Sequence, residues 1–358
     1  MAAFVAVHCG AGFHSKEKSS AYKSLCKEAC LESLNHYASS KDALIAVTMA
    51  VRVLENSSLT NAGYGSNLSW EGKIECDASI MCGNTLHFGA CGAVTCLKNP
   101  IDLASIICRK QSEKLALGRI PPCLLVGPGA EQWATHVGIP HINPNTLISE
   151  DAKNHYKKLK HKQSLYESLI GNEISPLDTV GAIFVDADGF CTAACSSGGI
   201  ALKSLGRIGQ AASYACGCWS EISNNQSYAT STTGCGEQLM KTLLAKTVVD
   251  GLKDCDCPAT SLNNTLQVNF IESQMLNDYE EKQAGVIALK YCSLKGTGEI
   301  IWGHTTSSLC IGYAYSHPYT KFKSIISRKH AQEQTVVGGT SFVLKSAPEL
   351  DSSENESS

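Results

Sequence analysis

The stretch SPLDTVGAIFVDADGF, Ser175 to Phe190, sets an acid, Asp178, and a threonine, Thr179, directly before an apolar run in mid-chain. A β-branched residue at the head of a strand is ordinary, but a strand does not need an acid in front of it. A threonine hydroxyl is a weak nucleophile until a base takes its proton. At a chain terminus the residue carries that base itself, because an α-amine titrates near about pH 7.7–8.0. The translated chain has no such terminus here. Scission of the Asp178–Thr179 bond would make one.

The elements around this bond can be read from pattern. Phe4 to His8 is a short apolar strand that runs into HCGAG, and residues 20–38 and 41–56 carry helical apolar stripes. NAGYGSNL (61–68) is a glycine-rich loop, IECDASIMCG and HFGACGAVTCL read as strands, and 103–117 reads as a helix closed by Gly118. From Glu150 to Ser175 the chain turns polar, with a basic cluster at Lys157, Lys158, Lys160, His161 and Lys162. This reads as an exposed, mobile linker, extending to about residue 178, with some helical tendency. Beyond it, 180–185 and 190–195 form a hairpin about Ala187-Asp188-Gly189, 235–252 is an amphipathic helix, and strands follow at 285–291, 299–305 and 309–313. The tail 346–358 reads as disordered. The strands cluster and do not alternate strictly with helices, which favours an α+β fold of sheets layered between helices.

Composition bounds the function. The chain has 358 residues, 43% hydrophobic and 18% charged, with a net charge of -3. That is enough for one large domain or two smaller ones, without a global attraction to nucleic acid or acidic lipid. No stretch nears the roughly 20 apolar residues of a membrane span, and the N-terminus lacks the basic region of a signal peptide. Eighteen cysteines in such a chain read as reduced, mostly buried thiols. The pairs Cys216-Gly217-Cys218 and Cys255-Asp256-Cys257 lack the partners of a zinc site, so no metal and no cofactor is expected.

Downstream of the bond come CSSGGIALKSLGRIGQ (195–210) and STTGCGE (231–237). With HCGAGFHS, TNAGYGSNL, IECDASIMCG and GRIPPCLLVG in the first half, this ordered set resembles the type-2 asparaginase family of N-terminal-nucleophile hydrolases. The resemblance spans all but the linker and the tail. It implies a four-layer αββα sandwich, an α chain of 1–178 and a β chain of 179–358 joined in one composite domain, and a dimer of such heterodimers. It further implies Thr179 as nucleophile, Ser197 as its hydrogen-bonding neighbour, Thr233 and the Gly234 amide as oxyanion hole, and Arg207 as clamp for a substrate carboxylate. Gln210, Gly236, Gly10 and Asn61 fall at positions that line the site.

Within the family the sequence resembles most the threonine aspartases, endopeptidases that cut after Asp. Asp178 precedes the nucleophile where asparaginases usually have Gly, Gln210 stands where they usually have Asp, and Gly234-Cys235-Gly236 replaces G-T-G. A carboxylate can pair with the ammonium of a free amino acid, whereas Gln210 offers only hydrogen bonds, suited to the amide of an internal peptide. Leu177 ahead of Asp178 implies an aliphatic preference before the cut. The branch's substrates imply nuclear regulatory proteins, and a nuclear or cytoplasmic location. The alternatives are an L-asparaginase or isoaspartyl peptidase, or a chain that never matures and acts as a binding protein through its basic linker.

Overall fold

The protein is described by a computed structural model, which covers residues 2–166, 179–316 and 319–345. Among the described residues, thirteen strands and eight α-helices make two stacked sheets between two layers of helices. The first sheet has eight strands: β1 (Ala3–Gly12), β2 (Cys76–Cys82), β3 (Phe88–Val94), β4 (Leu124–Val126), β5 (Val180–Asp186), β6 (Cys191–Ser197), β11 (Ser308–Tyr315) and β12 (Lys321–Arg328), in the order β12-β11-β1-β5-β6-β2-β3-β4. The second has five: β7 (Cys218–Ser223), β8 (Gln226–Gly234), β9 (Ala284–Cys292), β10 (Thr297–His304) and β13 (Val336–Val343), in the order β13-β10-β9-β8-β7. Helices α1 (Ser19–Ser40), α2 (Ala43–Glu55) and α3 (Pro100–Lys110) cover the outer face of the first sheet, with α4 (Gly127–His136) on β3 and β4. Helix α5 (Glu150–Tyr166) follows, and α6 (Gly236–Lys241), α7 (Leu244–Lys253) and α8 (Pro258–Asn264) belong to the second sheet's side. This is the αββα sandwich that the family resemblance implies, and it fits the sheets layered between helices that the strand clustering favours.

Period-2 alternation sets which side chains meet. In β1, Ala3, Val5, Val7 and Cys9 face the helices, while Phe4 and Ala6 face the second sheet. In β5, Val180, Ala182 and Phe184 face the helices, while Ile183 and Val185 face inward. The same parity turns Thr179 and Gly181 into the space between the sheets. Strands β5 and β6, both C-terminal to residue 178, lie between β1 and β2, both N-terminal to it. The two halves of the chain therefore share one sheet and one core.

Several boundaries differ from the sequence reading. The first helix-forming stretch extends to Ser19–Ser40. The second starts at Ala43, because the Asp42 carboxylate caps the amides of Leu44 and Ile45. The helix expected at 103–117 runs instead from Pro100 to Lys110: proline starts it at its first turn, where no amide donor is needed, and basic residues close it. The helix expected at 235–252 breaks into α6 and α7 at Leu243, which takes φ 45°. The GCGE loop is partly strand, since β8 reaches Gly234. The first half of the expected mobile linker is the ordered helix α5. Tyr156 Oη donates to the Trp70 carbonyl (3.1 Å), and Lys160 Nζ sits 3.3 Å above the Trp70 ring. The rest of the linker and the tail lie outside the described residues.

Candidate active site

Thr179 precedes β5 and is 3% exposed. Its hydroxyl donates to Ser197 Oγ at 2.9 Å, and its Oγ1 accepts from Gln210 Nε2 at 3.3 Å. Ser197 Oγ also accepts the amide of Gly199, at 3.0 Å. The nucleophile's proton thus points at an oxygen whose own geometry is fixed by the backbone of the Gly198-Gly199 turn. Asn61 builds that turn: its Nδ2 donates to the Gly199 carbonyl (2.7 Å), its carbonyl accepts from Gly198 (2.8 Å), and its Oδ1 accepts from Asn67 (2.8 Å). Both ends of the Asn61 side chain are therefore engaged in bracing, and its place at the site is behind Ser197.

Thr233 ends β8, its Oγ1 accepting the Ala11 amide at 3.2 Å. Gly234 takes φ 139°, and a Cβ there would strike the Gln283 carbonyl, so only glycine fits. Gly10 takes φ 97° in the bulge of β1 between His8 and Ala11. That bulge brings the Ala11 amide to Thr233.

Arg207 carries a finding the sequence did not anticipate. Its Nε and Nη2 donate to the Glu237 carboxylate at 2.7 and 2.6 Å. Burial pushes the Glu237 carboxyl up, but the hydrogen bonds and charge of Arg207 outweigh it and hold the group below its ordinary range. One fork of the guanidinium is thus anchored. Its Nη1 lies 3.2 Å and 2.9 Å from where a Cβ on Gly199 and Gly209 would stand. Nη2 and Gln210 Oε1 lie 2.6 and 2.9 Å from where a Cβ on Gly236 would stand. Three bare glycines thus let the cation and the amide pack directly against the backbone, where a Cβ would collide with them.

The loop bearing Arg207 is held from below by residues of the IECDASIMCG segment that carried no assigned role. The Asp77 carboxylate accepts from Gly209 (3.0 Å) and Ala93 (2.9 Å), and Glu75 accepts from the Gly206 amide (2.9 Å). Lys203, 2% exposed, donates to the Glu75 carbonyl at 2.8 Å. His8 was hidden in an apolar strand. It pairs across the ladder with Gly181, and its Nε2 bonds Ser231 Oγ at 2.9 Å. Burial drives its pKa down to about 3, against the opposing contact with the Thr179 backbone. The ring is neutral, and a Cβ on Gly181 would strike it. The one usable sequence signal was the spacing: a histidine two residues before a positive-φ glycine, on the inward parity of β1.

Glu55 supports β6, the strand that carries Ser197, from the helix side. Its carboxylate accepts from Ser196 Oγ (2.6 Å), Asn99 Nδ2 (3.0 Å) and the Ile101 amide (3.1 Å). Burial outweighs these and raises its pKa to about 8. The folded state therefore binds a proton that the unfolded chain gives up near pH 4.5, and stability falls as pH rises from about 4.5 to 8. His8 acts in the opposite sense only below pH 6.5, its unperturbed value. Between pH 6.5 and 8 the wild-type melting temperature should drop, and Glu55→Gln, which has no proton to lose, should flatten that slope; a series of melts across the range checks it.

Asp178 lies outside the described residues. The others of the expected set, Thr179, Ser197, Gln210, Arg207, Gly236, Thr233, Gly234, Gly10 and Asn61, converge on one region between the sheets. A four-layer sandwich with a threonine at the head of a central strand, hydrogen-bonded to a serine and a glutamine, is the architecture of an N-terminal-nucleophile hydrolase. A family profile described as Asparaginase matches residues 1–323, and the chain belongs to this type-2 asparaginase family. Relatives include an isoaspartyl peptidase/L-asparaginase of Xenopus laevis, 34% identical over 272 residues, 76% of this chain and 82% of that protein. One of Rattus norvegicus is 38% identical over 219 residues, 61% of each chain, so the match spans less than two thirds of that protein's length. An isoaspartyl peptidase of Salmonella typhimurium is 34% identical over 254 residues, 68% of this chain and 76% of that protein. The family resemblance read from the motifs holds; these relatives carry the isoaspartyl peptidase and asparaginase names, not that of the threonine aspartases.

Proposed function

We propose that the chain cuts itself between Asp178 and Thr179 and then hydrolyses peptide bonds that follow an aspartate within a polypeptide. Thr179 Oγ1 attacks the Asp178 carbonyl carbon, the C–N bond breaks as the amide nitrogen takes a proton, and an ester remains. Water hydrolyses the ester, leaving a carboxylate on Asp178 and a free amine on Thr179. In the uncut chain the acceptor facing the hydroxyl proton is Ser197; afterwards the amine is the base. Substrate then repeats the first step, with its carbonyl oxygen polarised at Thr233 and Gly234 and its acidic side chain at Arg207. The two pieces stay together through the shared sheet.

Gln210 carries the choice of substrate. It touches Thr179 and, with Arg207, packs on Gly236, at the point where a free amino acid's ammonium would need a counter-charge. A neutral amide gives it none. The second reading, isoaspartyl peptidase or L-asparaginase, is favoured by the names of the relatives. The matured protein should therefore be offered asparagine, a β-aspartyl dipeptide and a peptide with internal Leu-Asp-Gly. Cleavage of the third alone, after Asp, is the expected outcome, with Gln210→Asp lowering it by about 10- to 100-fold through a buried, unpaired carboxylate. Turnover confined to the first two would transfer the assignment to the second reading.

A further inference from the structure

The sequence directs a search for metal ligands to its two C-x-C pairs, but the fold gathers three other cysteines. Cys9 lies on β1, Cys310 on β11 and Cys26 on α1, all fully or nearly fully buried. Their sulfurs lie within 4.8 Å of one another, with Cys9–Cys26 at 3.4 Å and Cys26–Cys310 at 3.9 Å. The backbone places them. β1 and β11 are antiparallel neighbours, paired at His8↔Ile311 and Ala11↔Leu309, so Cys9 and Cys310 meet across the bulge. Both turn toward the helix layer. Gly312, on the same face of β11, lets α1 descend: a Cβ there would stand 2.6 Å from Cys26 Cβ.

We infer that these three thiols form a binding site for a soft metal ion. Thiolates at a metal–sulfur distance of about 2.3 Å lie about 3.8–4.0 Å apart in tetrahedral or trigonal geometry, close to the separations here. Among the described residues no carboxylate or imidazole joins the group as a fourth ligand. The nearby His14 ring is committed, Nδ1 to Ser308 Oγ (2.9 Å) and Nε2 to the Cys9 carbonyl (3.3 Å). Zinc(II) in a closed site takes four ligands, whereas three sulfurs in a dry pocket suit the monovalent, thiophilic copper(I). Binding exchanges thiol protons for the ion and ties β1, β11 and α1 together. The tie sits one residue from Gly10 and two from Ala11, whose amide holds Thr233, so the metal would brace the back of the oxyanion site. The inference does not depend on which peptide or amino acid the enzyme cleaves.

The test uses the matured full chain, produced in copper-supplemented medium and purified without oxygen in excess glutathione, because buried ligands exchange slowly. Metal content by mass spectrometry should show one copper per chain, and copper K-edge absorption should show three sulfurs at about 2.3 Å. Cys9→Ala, Cys26→Ala and Cys310→Ala should each lose that copper. Cys30→Ala, one turn along α1 and equally buried, should keep it and controls for damage to the helix. Wild type should also melt higher with copper than after chelation and refolding, while the three variants show no such difference. Copper absent from folded wild type, or retained equally in all four variants, would overturn the site. Tighter retention of zinc than of copper at these cysteines would overturn the choice of ion.

Discussion

Thr179→Ala is expected to leave a single full-length band of 38.1 kDa, where wild type yields two pieces of 178 and 180 residues. The substitution removes a hydroxyl with two partners, Gln210 and Ser197, of which Ser197 keeps the Gly199 amide. Its cost to folding is about 1–3 kcal/mol, too small to unfold a core of this size. Its cost to chemistry is the whole nucleophile, a loss of at least about 10⁴-fold in turnover by comparison with other nucleophile deletions. Thr179→Ser keeps oxygen and amine and should restore cleavage in part. A variant that simply failed to fold would instead lose its cooperative melt, so calorimetry alongside the gel separates the two outcomes. Processing of Thr179→Ala at the same bond would show that another residue attacks it.

Arg207→Ala has the next largest effect. The guanidinium is held to Glu237 through Nε and Nη2, which leaves its Nη1 side against the bare backbone of Gly199 and Gly209. Removing one member of a largely buried charge pair costs about 2–5 kcal/mol, or about 30- to 5000-fold in kcat/KM for a substrate whose carboxylate meets the cation. The loss should be confined to substrates that carry the acid: against a matched peptide with Asn in place of Asp, Arg207→Ala and wild type should be equally poor. Glu237→Gln keeps the cation and loosens its anchor, so its loss should be smaller, about 10-fold. Steady-state kinetics on the paired peptides check both. Equal losses on both peptides would mean that Arg207 holds the loop and not the substrate.

The sequence made the layered fold legible because the strands read as short apolar runs that cluster and the helices carry apolar stripes. It made the hairpin β5–β6 legible for the same reason, and with it the place of Thr179 at the head of a central strand. The weak sites of the reading have physical causes. β8 is rich in Ser and Thr, and β7 breaks its apolar residues with Ser and Glu, so neither carries the apolar signature of a strand. β12 and β13 are sheet-edge strands and half exposed, β12 broken by charges and β13 by a Gly-Gly pair. Helix α5 has little apolar face, and its contacts, Tyr156 and Lys160 on Trp70, are long-range. The supporting residues His8, Asp77, Glu75 and Glu237 act through partners 16 to 223 residues away. Spacing along the chain cannot express such pairings. The Arg207–Glu237 fork is the plainest case: both residues fall in recognisable motifs, yet only the fold shows that they pair.

The most direct measurement is mass spectrometry with N-terminal sequencing on protein that is turning over substrate. The account predicts a subunit beginning at Thr179 with a free amine, present in proportion to activity across partly processed samples. Active protein in which Thr179 remains amide-bonded to Asp178 would contradict it.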